Sequence, residues 1–254
     1  MKSIIVLLIM FSLSVKAQKK DSLLTNNVKN ANDAARLSIV NNQIDRQAGG
    51  SYHASIQPFD TRYEGVKGTY YLVPMWLEGD LYGNAGKLVA HRVSIKYDAL
   101  NKEVIQRNTG KDTIAVYPSA FTLYDQTKSY QFVHRQGFTT TSGKKIANTY
   151  LQVLFAKKMS FYKNFTKSLL AADYKQPYSD NRRYDSFEEK IEYFLAKENG
   201  EMEQIKLNQK SILQNFIDQK KALEIYVKTH QLDLKREADV VSLLGYYESL
   251  GGNQ

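Results

Sequence analysis

The sequence predicts an α+β fold, in which an antiparallel, curved β-meander of about eight to ten strands is followed by three short C-terminal helices. Two observations predict the sheet: apolar and polar residues alternate between Gly68 and Leu207, and short breaks containing Gly or Asn separate the alternating runs. A third observation predicts the helices, because the apolar spacing becomes three or four after Leu207. The predicted segments are a signal peptide (1–17), a partly helical leader (18–50), the antiparallel β domain (51–207) and C-terminal helices packed on the sheet (208–254).

Residues 1–17 have the features of a secretory signal peptide. Lys2 gives a positive start, Ile4–Leu13 is an apolar run too short to span a bilayer, and Val15–Ala17 resembles a cleavage site. The chain contains no cysteine, which excludes disulfides, thiolate metal sites and a thiol nucleophile. We therefore predict export in a Gram-negative bacterium, to the periplasm or to the outer-membrane surface.

The leader, 18–50, is predicted to be only partly helical. Apolar residues from Leu24 to Ile39 keep a helical spacing. Asparagines between 26 and 32 weaken that prediction, because Asn side chains compete for backbone hydrogen bonds. A half-ordered segment ahead of the domain is the alternative.

The alternating runs of the β domain are joined by short connections, which antiparallel hairpins allow and parallel crossovers do not. Asn199-Gly200 is the strongest hairpin signal among these connections. The predicted strands are Thr69–Leu77, Lys87–Tyr97, Val104–Arg107, Asp112–Tyr117, Phe121–Tyr124, Tyr130–Arg135, Tyr150–Phe155, Met159–Phe165, Ile191–Lys197 and Met202–Leu207.

The first of these strands differs from the others because both of its faces are apolar, which indicates cover on both sides. Pro74 within it lacks an amide donor and predicts an edge or a bulge. If the sheet curls around this strand, its concave side could hold a lipid-like ligand. Tyr70, Leu72 and Trp76 are then the predicted lining of the ligand site.

Two longer loops interrupt the pattern. Gly137–Lys145 is rich in Thr, Ser and Gly and is predicted to be a flexible tip. Asp173–Asp185 contains tyrosines and adjacent arginines, which are enriched at contact sites, so it is a candidate binding edge. A plain surface connector is the alternative for this loop. The candidate binding residues in it are Tyr174, Tyr178, Arg182 and Arg183.

Three amphipathic helices are predicted after residue 207, around Leu213–Ile217, Leu223–His230 and Val240–Tyr247. Asp233 is a candidate N-cap for the third helix, and glycines at 251 and 252 are predicted to end it. Their apolar faces are expected to pack on the sheet or on each other.

The sequence contains few residue patterns that are typical of an active site. The four histidines do not share any metal-binding spacing, and neither a nucleophile elbow nor a phosphate loop is present. Glu78 and Asp80, beside Trp76, come nearest to an acid–base carboxylate pair, and ordinary strand-end charge is the alternative. We therefore predict no catalytic residue, no metal site and no cofactor.

The formal net charge of the chain is +9. The positive charges are scattered, which is typical of a solvated basic surface and favours acidic partners. Export and the absence of nucleic-acid-binding signatures argue against a nucleic-acid partner. The predicted partner is a protein or an apolar or acidic ligand. Peripheral association with the outer membrane and the oligomeric state are left open.

Three patches of the sequence carry a resemblance to a known family. The first is Gly65–Tyr82 together with Val93–Val104, the second is Leu154–Phe165, and the third is Ser211–Leu250. Together they resemble a family of uncharacterised exported proteins of Gram-negative bacteria, β-rich with a helical C-terminal end. The resemblance implies export and strands before helices, and it implies no activity, cofactor or functional residue.

Three functions are compatible with these features. The first is an exported non-enzymatic protein that binds a partner or ligand through its aromatic-rich sheet. The second is a small outer-membrane-associated β-barrel, although the predicted strands are shorter than the roughly 9–11 residues that a span needs. The third is a cell-wall or glycan-acting hydrolase with its site at Asp173–Asp185.

Overall fold

The structure is a computed structural model that describes residues 63–108, 112–126, 128–173 and 184–251, together with the backbone of 54–57. The predicted signal peptide and leader lie outside the described residues. So do four of the predicted binding residues, Tyr174, Tyr178, Arg182 and Arg183.

The described chain forms strands up to residue 205 and helices from residue 209. The strands are β1 (Ala54–Gln57), β2 (Leu77–Tyr82), β3 (Leu88–Asp98), β4 (Glu103–Arg107), β5 (Thr113–Val116), β6 (Ala120–Asp125), β7 (Lys128–Arg135), β8 (Phe138–Thr139), β9 (Lys145–Ile146), β10 (Thr149–Ala156), β11 (Ser160–Leu170), β12 (Ser186–Ala196) and β13 (Met202–Ile205). The helices are α1 (Gln209–Leu213), α2 (Lys220–Thr229) and α3 (Glu237–Gly251).

The main sheet has the order β1-β5-β4-β3-β2-β6-β7-β10-β11-β12-β13, and all of its neighbouring strands are antiparallel. Within the described residues this sheet is open and ends at β1 and β13. The predicted α+β class, with its antiparallel sheet and three C-terminal helices, is confirmed.

The connection between β5 and β6 requires the sheet to be strongly coiled. The two strands lie four positions apart in the sheet, a separation of about 19 Å if the sheet were flat. Only Tyr117–Ser119 joins them, and the four peptide steps from Val116 to Ala120 span at most about 14 Å. The curvature expected from the sequence is therefore present.

The inner, concave face of the coiled sheet is filled by aromatic side chains. Tyr97 of β3 and Tyr150 of β10 are also four strands apart, yet their ring centroids are separated by only 5.7 Å. Phe121 and Phe132 stack between them with centroids 4.6 Å apart, and all four side chains are fully buried. This face is a packed core of the kind that native interiors show.

The predicted strand Thr69–Leu77 is wrong, because regular pairing starts only at Leu77. The preceding residues, Lys67–Leu72, instead form a strap between two distant strands. At one end Lys67 bridges to Ser186 at the start of β12, and at the other Tyr71 bridges to Asp98 at the end of β3. This segment therefore has apolar residues at successive positions because it contacts two different strands. It is not a strand that is covered on both faces.

A small hairpin made of β8 and β9 covers β10–β13 on the face opposite to the inner face. Phe138 of β8 packs edge-on against Phe194 of β12, with ring centroids 5.6 Å apart, and Ile146 of β9 joins the same apolar cluster. The flexible tip predicted for Gly137–Lys145 is therefore wrong. Its Thr- and Gly-rich sequence forms a hairpin turn whose ends contribute to the core.

The C-terminal helices pack on the inner face of β11 and β12. Phe161 and Leu195 from these strands share one buried cluster with Phe216, Leu243 and Leu244. The prediction of three helices is confirmed. The proposed cap is wrong, since α3 begins at Glu237, and the Asp233 carboxylate accepts a hydrogen bond from the backbone N–H of Lys235.

Candidate binding site

The structure does not bring the three predicted lining residues together. Tyr70 packs against Phe187, with ring centroids 5.6 Å apart, and Leu72 donates its backbone N–H to the carbonyl of Tyr97. Trp76 instead lies beside Lys96 on the outer face of the sheet. Tyr70 and Leu72 therefore belong to the strap, and of these three residues Trp76 remains the candidate for ligand contact.

Trp76 is contacted by two cations. The guanidinium carbon of Arg107 lies 4.1 Å from the indole centroid, and Nζ of Lys96 lies 5.0 Å from it. Lys96 also lies 4.5 Å from the ring centroid of Tyr71. Strand alternation places Lys96 and Arg107 here, because Ile95 and Tyr97 point to the inner face. Cation–π contacts of this kind stabilise by about 0.5–1 kcal/mol at exposed sites.

The two cations have no acidic partner among the described residues. Neither Lys96 nor Arg107 forms an ion pair with a carboxylate in the part of the chain that the structure describes. Burial lowers the pKa of Lys96, and the neighbouring charge of Arg107 lowers it further. The protonated Lys96 is thus disfavoured by its own surroundings, and a bound anion would relieve that.

Next to Trp76, a β-bulge organises a second group of polar residues. Gly79 pairs with Val93 and Leu81 pairs with Ala90, so Asp80 alone faces both His91 and Arg92. Arg92 has a positive φ of 51°, which a bulge can impose and an ordinary strand position does not. The extra residue directs both side chains toward the acidic groups of β2.

Asp80 is the buried centre of this group, with 5% of its surface exposed. Its carboxylate accepts hydrogen bonds from the Arg92 backbone N–H (2.8 Å) and the Tyr124 hydroxyl (2.7 Å), and His91 Nδ1 lies 3.0 Å away. Burial raises the pKa of Asp80, but these hydrogen bonds and the charge of His91 outweigh burial, so the pKa is lowered below its ordinary value. Asp80 therefore stays ionised and fixes the ring orientation of His91.

Arg92 extends the positive surface from Trp76 toward β6. Its guanidinium lies 4.3 Å from the ring centroid of Tyr124 and forms an ion pair of 2.8 Å with Glu78. Because the phenol of Tyr124 is held by Asp80, the ring under Arg92 has a fixed position. We refer to Trp76, Arg92, Lys96, Arg107 and Tyr124 as the basic–aromatic stripe.

An open groove of about 570 Å³ adjoins the stripe, and three stripe residues line it: Trp76, Arg92 and Tyr124. Trp76, Glu78, Arg92 and Tyr124 line it together with residues at the facing ends of β6 and β7. The end of β6, Gln126 and the start of β7 add an acid, an amide, a cation and a hydroxyl to the groove: Asp125, Gln126, Lys128 and Ser129. The groove can therefore offer stacking surfaces, hydrogen-bond acceptors and positive charge to one ligand.

Sequence reasoning found part of this site. Trp76 was a predicted ligand contact, and the carboxylates of Glu78 and Asp80 were the nearest approach to a functional pair. Arg92, Lys96, Arg107 and Tyr124 were missed, because they lie on three different strands, β3, β4 and β6, and their convergence depends on strand order. Asp80 is a hydrogen-bonding centre and not a plain strand-end charge.

Comparisons of the chain with protein-family models, with curated proteins and with solved structures gave no match. Among the residues described, no group of three or more His, Cys, Asp or Glu side chains is placed to hold a metal ion. Of the helices in the described ranges, none combines the length and apolar character that crossing a membrane requires.

Proposed function

We propose that this chain is an exported, non-enzymatic binding protein and that its basic–aromatic stripe holds an acidic ligand. One observation carries the proposal: Lys96 and Arg107 both lie over the ring of Trp76 without a carboxylate partner among the described residues. Two like charges held together repel each other. An anionic group bound between them would remove that repulsion and gain two charge-assisted contacts.

The outer face is a better candidate for the binding surface than the inner face. The inner face is occupied by the buried rings of Tyr97, Phe121, Phe132 and Tyr150, so the lipid-like ligand considered from the sequence has no comparable space there. On the outer face, Arg107 is exposed and Trp76 is partly exposed, so a ligand can reach both. An acidic ligand is therefore favoured over an apolar one.

Export is the part of the proposal that rests on the sequence. The positive start, the apolar run Ile4–Leu13 and the small residues before Gln18 support a signal peptide, and the resemblance to exported Gram-negative proteins agrees with it. The acidic ligand would then be met in the periplasm or at the outer membrane. The basic net charge favours an anionic partner in either location.

Replacing both cations beside the indole should weaken binding of anionic probes. Trp76 is the single tryptophan of the chain, so its fluorescence reports directly on this site. We expect titration with polygalacturonate, poly-L-glutamate or vesicles of anionic phospholipid to change the Trp76 emission saturably for at least one probe. In the Lys96→Gln/Arg107→Gln variant, the dissociation constant for that probe should rise by about tenfold or more.

A matched control removes two charges elsewhere. Lys220 and Lys221 are exposed at the start of α2, and Lys220→Gln/Lys221→Gln lowers the net charge by the same amount. This variant should bind the probe within about twofold of the unmodified protein, since rim charges far from a site act weakly at physiological salt. Equal weakening in both double variants, or no response of Trp76 to any of the probes, would overturn the proposal.

A further inference from the structure

We propose that the acidic ligand is an acidic polysaccharide, bound lengthwise in the groove along the basic–aromatic stripe. This inference rests on the proposed function and specifies its ligand class. It starts from the direction of the groove, which crosses several strands. From Arg92 on β3 to Ser129 on β7 the groove crosses three inter-strand spacings, about 14 Å along the sheet. A site of this length and openness fits a segment of a linear polymer better than a single small anion.

The positive charges recur along this length. Arg92 and Lys128 line the groove itself, and Lys96 and Arg107 lie next to it, against the ring of Trp76. A polymer with one acidic group on each repeating unit could meet these positions in turn. Arg92 is partly neutralised by Glu78, so the strongest attraction is at the Trp76 end.

The groove also contains groups that a simple polyanion would not favour. Glu78 and Asp125 are carboxylates, and Gln126 and Ser129 are neutral hydrogen-bonding side chains. A carboxylate repels an acidic peptide or a phosphate, but it accepts hydrogen bonds from hydroxyl groups. A ligand that carries both acidic groups and many hydroxyls satisfies the whole set, and acidic polysaccharides have this combination.

Aromatic rings in the groove provide the remaining contacts. Trp76 and Tyr124 both line it, and the Tyr124 ring is fixed by the hydrogen bond from its hydroxyl to Asp80. Flat, rigid rings beside hydrogen-bonding groups suit the C–H faces of sugar rings. Peptide recognition by strand addition would instead require a free sheet edge, and the groove lies on the face of interior strands.

The test compares three polymers at matched ionic strength: polygalacturonate, poly-L-glutamate and neutral dextran. Binding is measured by Trp76 fluorescence and by native electrophoresis in gels that contain each polymer. We expect polygalacturonate to bind about tenfold more tightly per acidic group than poly-L-glutamate, and dextran to bind weakly. The difference reflects the hydrogen bonds that hydroxyl groups can form in the groove.

The Asp125→Ala variant should weaken the binding of only one of the two polyanions. Losing this acceptor should weaken polygalacturonate binding by about fivefold, the equivalent of one hydrogen bond. The same change removes a repulsive charge, so poly-L-glutamate should bind equally well or more tightly. Glu224→Ala is the matched control. Glu224 is an exposed acid on α2, and its removal should not change the affinity for either polyanion.

The possible outcomes distinguish failure of the polysaccharide inference from failure of the proposed acidic-ligand function. If poly-L-glutamate binds as tightly as polygalacturonate and Asp125→Ala strengthens both, the polysaccharide inference is overturned while the acidic-ligand function stands. If neither polyanion nor anionic vesicles bind at low salt, the proposed function itself fails. If dextran binds as tightly as polygalacturonate, the groove recognises neutral sugars, and the acidic character of the ligand is overturned in both proposals.

Discussion

Replacing Gly79 with alanine is expected to lower the free energy of unfolding by about 3 kcal/mol, the upper end of what overpacking a core costs. A Cβ at this position in β2 would lie in severe overlap with two atoms, Cδ1 of Ile95 and the backbone carbonyl oxygen of Thr122. Ile95 is fully buried and the carbonyl belongs to β6, which pairs with β2. The Ile95 side chain can rotate only into the core that surrounds it, and the carbonyl cannot move away without separating β2 from β6, so the strain remains in the folded state.

A second glycine provides the control for this substitution. Gly245 lies inside α3, and a Cβ there would meet no atom within 4 Å. Gly245→Ala should therefore raise the free energy of unfolding by up to about 1 kcal/mol through helix propensity. Urea denaturation followed by circular dichroism measures both variants. A Gly79→Ala protein as stable as the unmodified one would show that β2, β3 and β6 pack less closely than described.

Gly79 also tests whether the binding site depends on the core behind it. Asp80 follows directly on the same strand, and its carboxylate holds Tyr124 and the Arg92 backbone. Separation of β2 from β6 should therefore weaken polyanion binding in any Gly79→Ala protein that still folds. The glycine thus links the close packing of the inner face to the geometry of the outer one.

Most strands could be predicted because their signals are local. The run Lys87–Tyr97 alternates in polarity and ends at a turn, and the structure has β3 at Leu88–Asp98. The Asn199-Gly200 turn joins β12 and β13 as its sequence indicates, with Gly200 at a φ of 85°. Alternation and turn chemistry fix such hairpins without reference to the rest of the molecule.

The strap could not be recognised from sequence, because an apolar run with apolar residues at every position is also the pattern of a buried strand. What distinguishes them is the partner on each side. Tyr70 packs on Phe187, which is more than one hundred residues away in the chain, whereas Tyr71 contacts Lys96 of β3. The coiling of the sheet brings these distant residues together, and such contacts do not produce a periodic pattern in the sequence.

The site was only partly predictable for a related reason. A β-bulge changes the face of one residue, and the run around His91 and Arg92 alternates well enough to hide it. The order of the strands, in which β2 lies between β3 and β6, brings Arg92 and Tyr124 together. Strand order was not encoded in any short motif, so the convergence of these side chains required the fold.

Raising the pH from 7.5 to 10 is expected to increase the free energy of unfolding of the unmodified protein relative to a Lys102→Met variant. Lys102 Nζ donates hydrogen bonds to the carbonyl oxygens of Ala99 (2.7 Å) and Phe165 (2.8 Å), so it joins the β3–β4 turn to β11. Burial lowers the pKa of this amine from 10.5 to about 8, although the charges of Asp98 and Glu192 oppose the change. The unfolded chain keeps the ordinary pKa.

The direction of this change in stability follows from the number of protons that the folded and unfolded states bind. Between about pH 8 and pH 10.5 the unfolded state holds the Lys102 proton while the folded state has released it, so stability rises with pH across this window. The full difference in pKa corresponds to about 3 kcal/mol. Partial solvent contact of the amine reduces the expected gain to about 2 kcal/mol.

Urea denaturation at half-unit pH intervals, carried out on both proteins, isolates this contribution. Burial raises the pKa of Tyr117 to about 12, helped by its hydrogen bond to Glu103, so this tyrosine lowers stability only as the pH rises above 10. That effect is common to both proteins and cancels in the difference. Lys221→Met, which removes an exposed lysine from α2, should show no such slope.

If the difference in the free energy of unfolding between the unmodified protein and Lys102→Met does not change with pH, the amine is solvated in the folded state. If that difference increases with pH, the neutral amine still holds the turn, which its chemistry permits. An uncharged amine retains two N–H donors, and Lys102 has two carbonyl partners, Ala99 and Phe165. Loss of the charge therefore removes the desolvation cost without removing the contact between β11 and the β3–β4 turn.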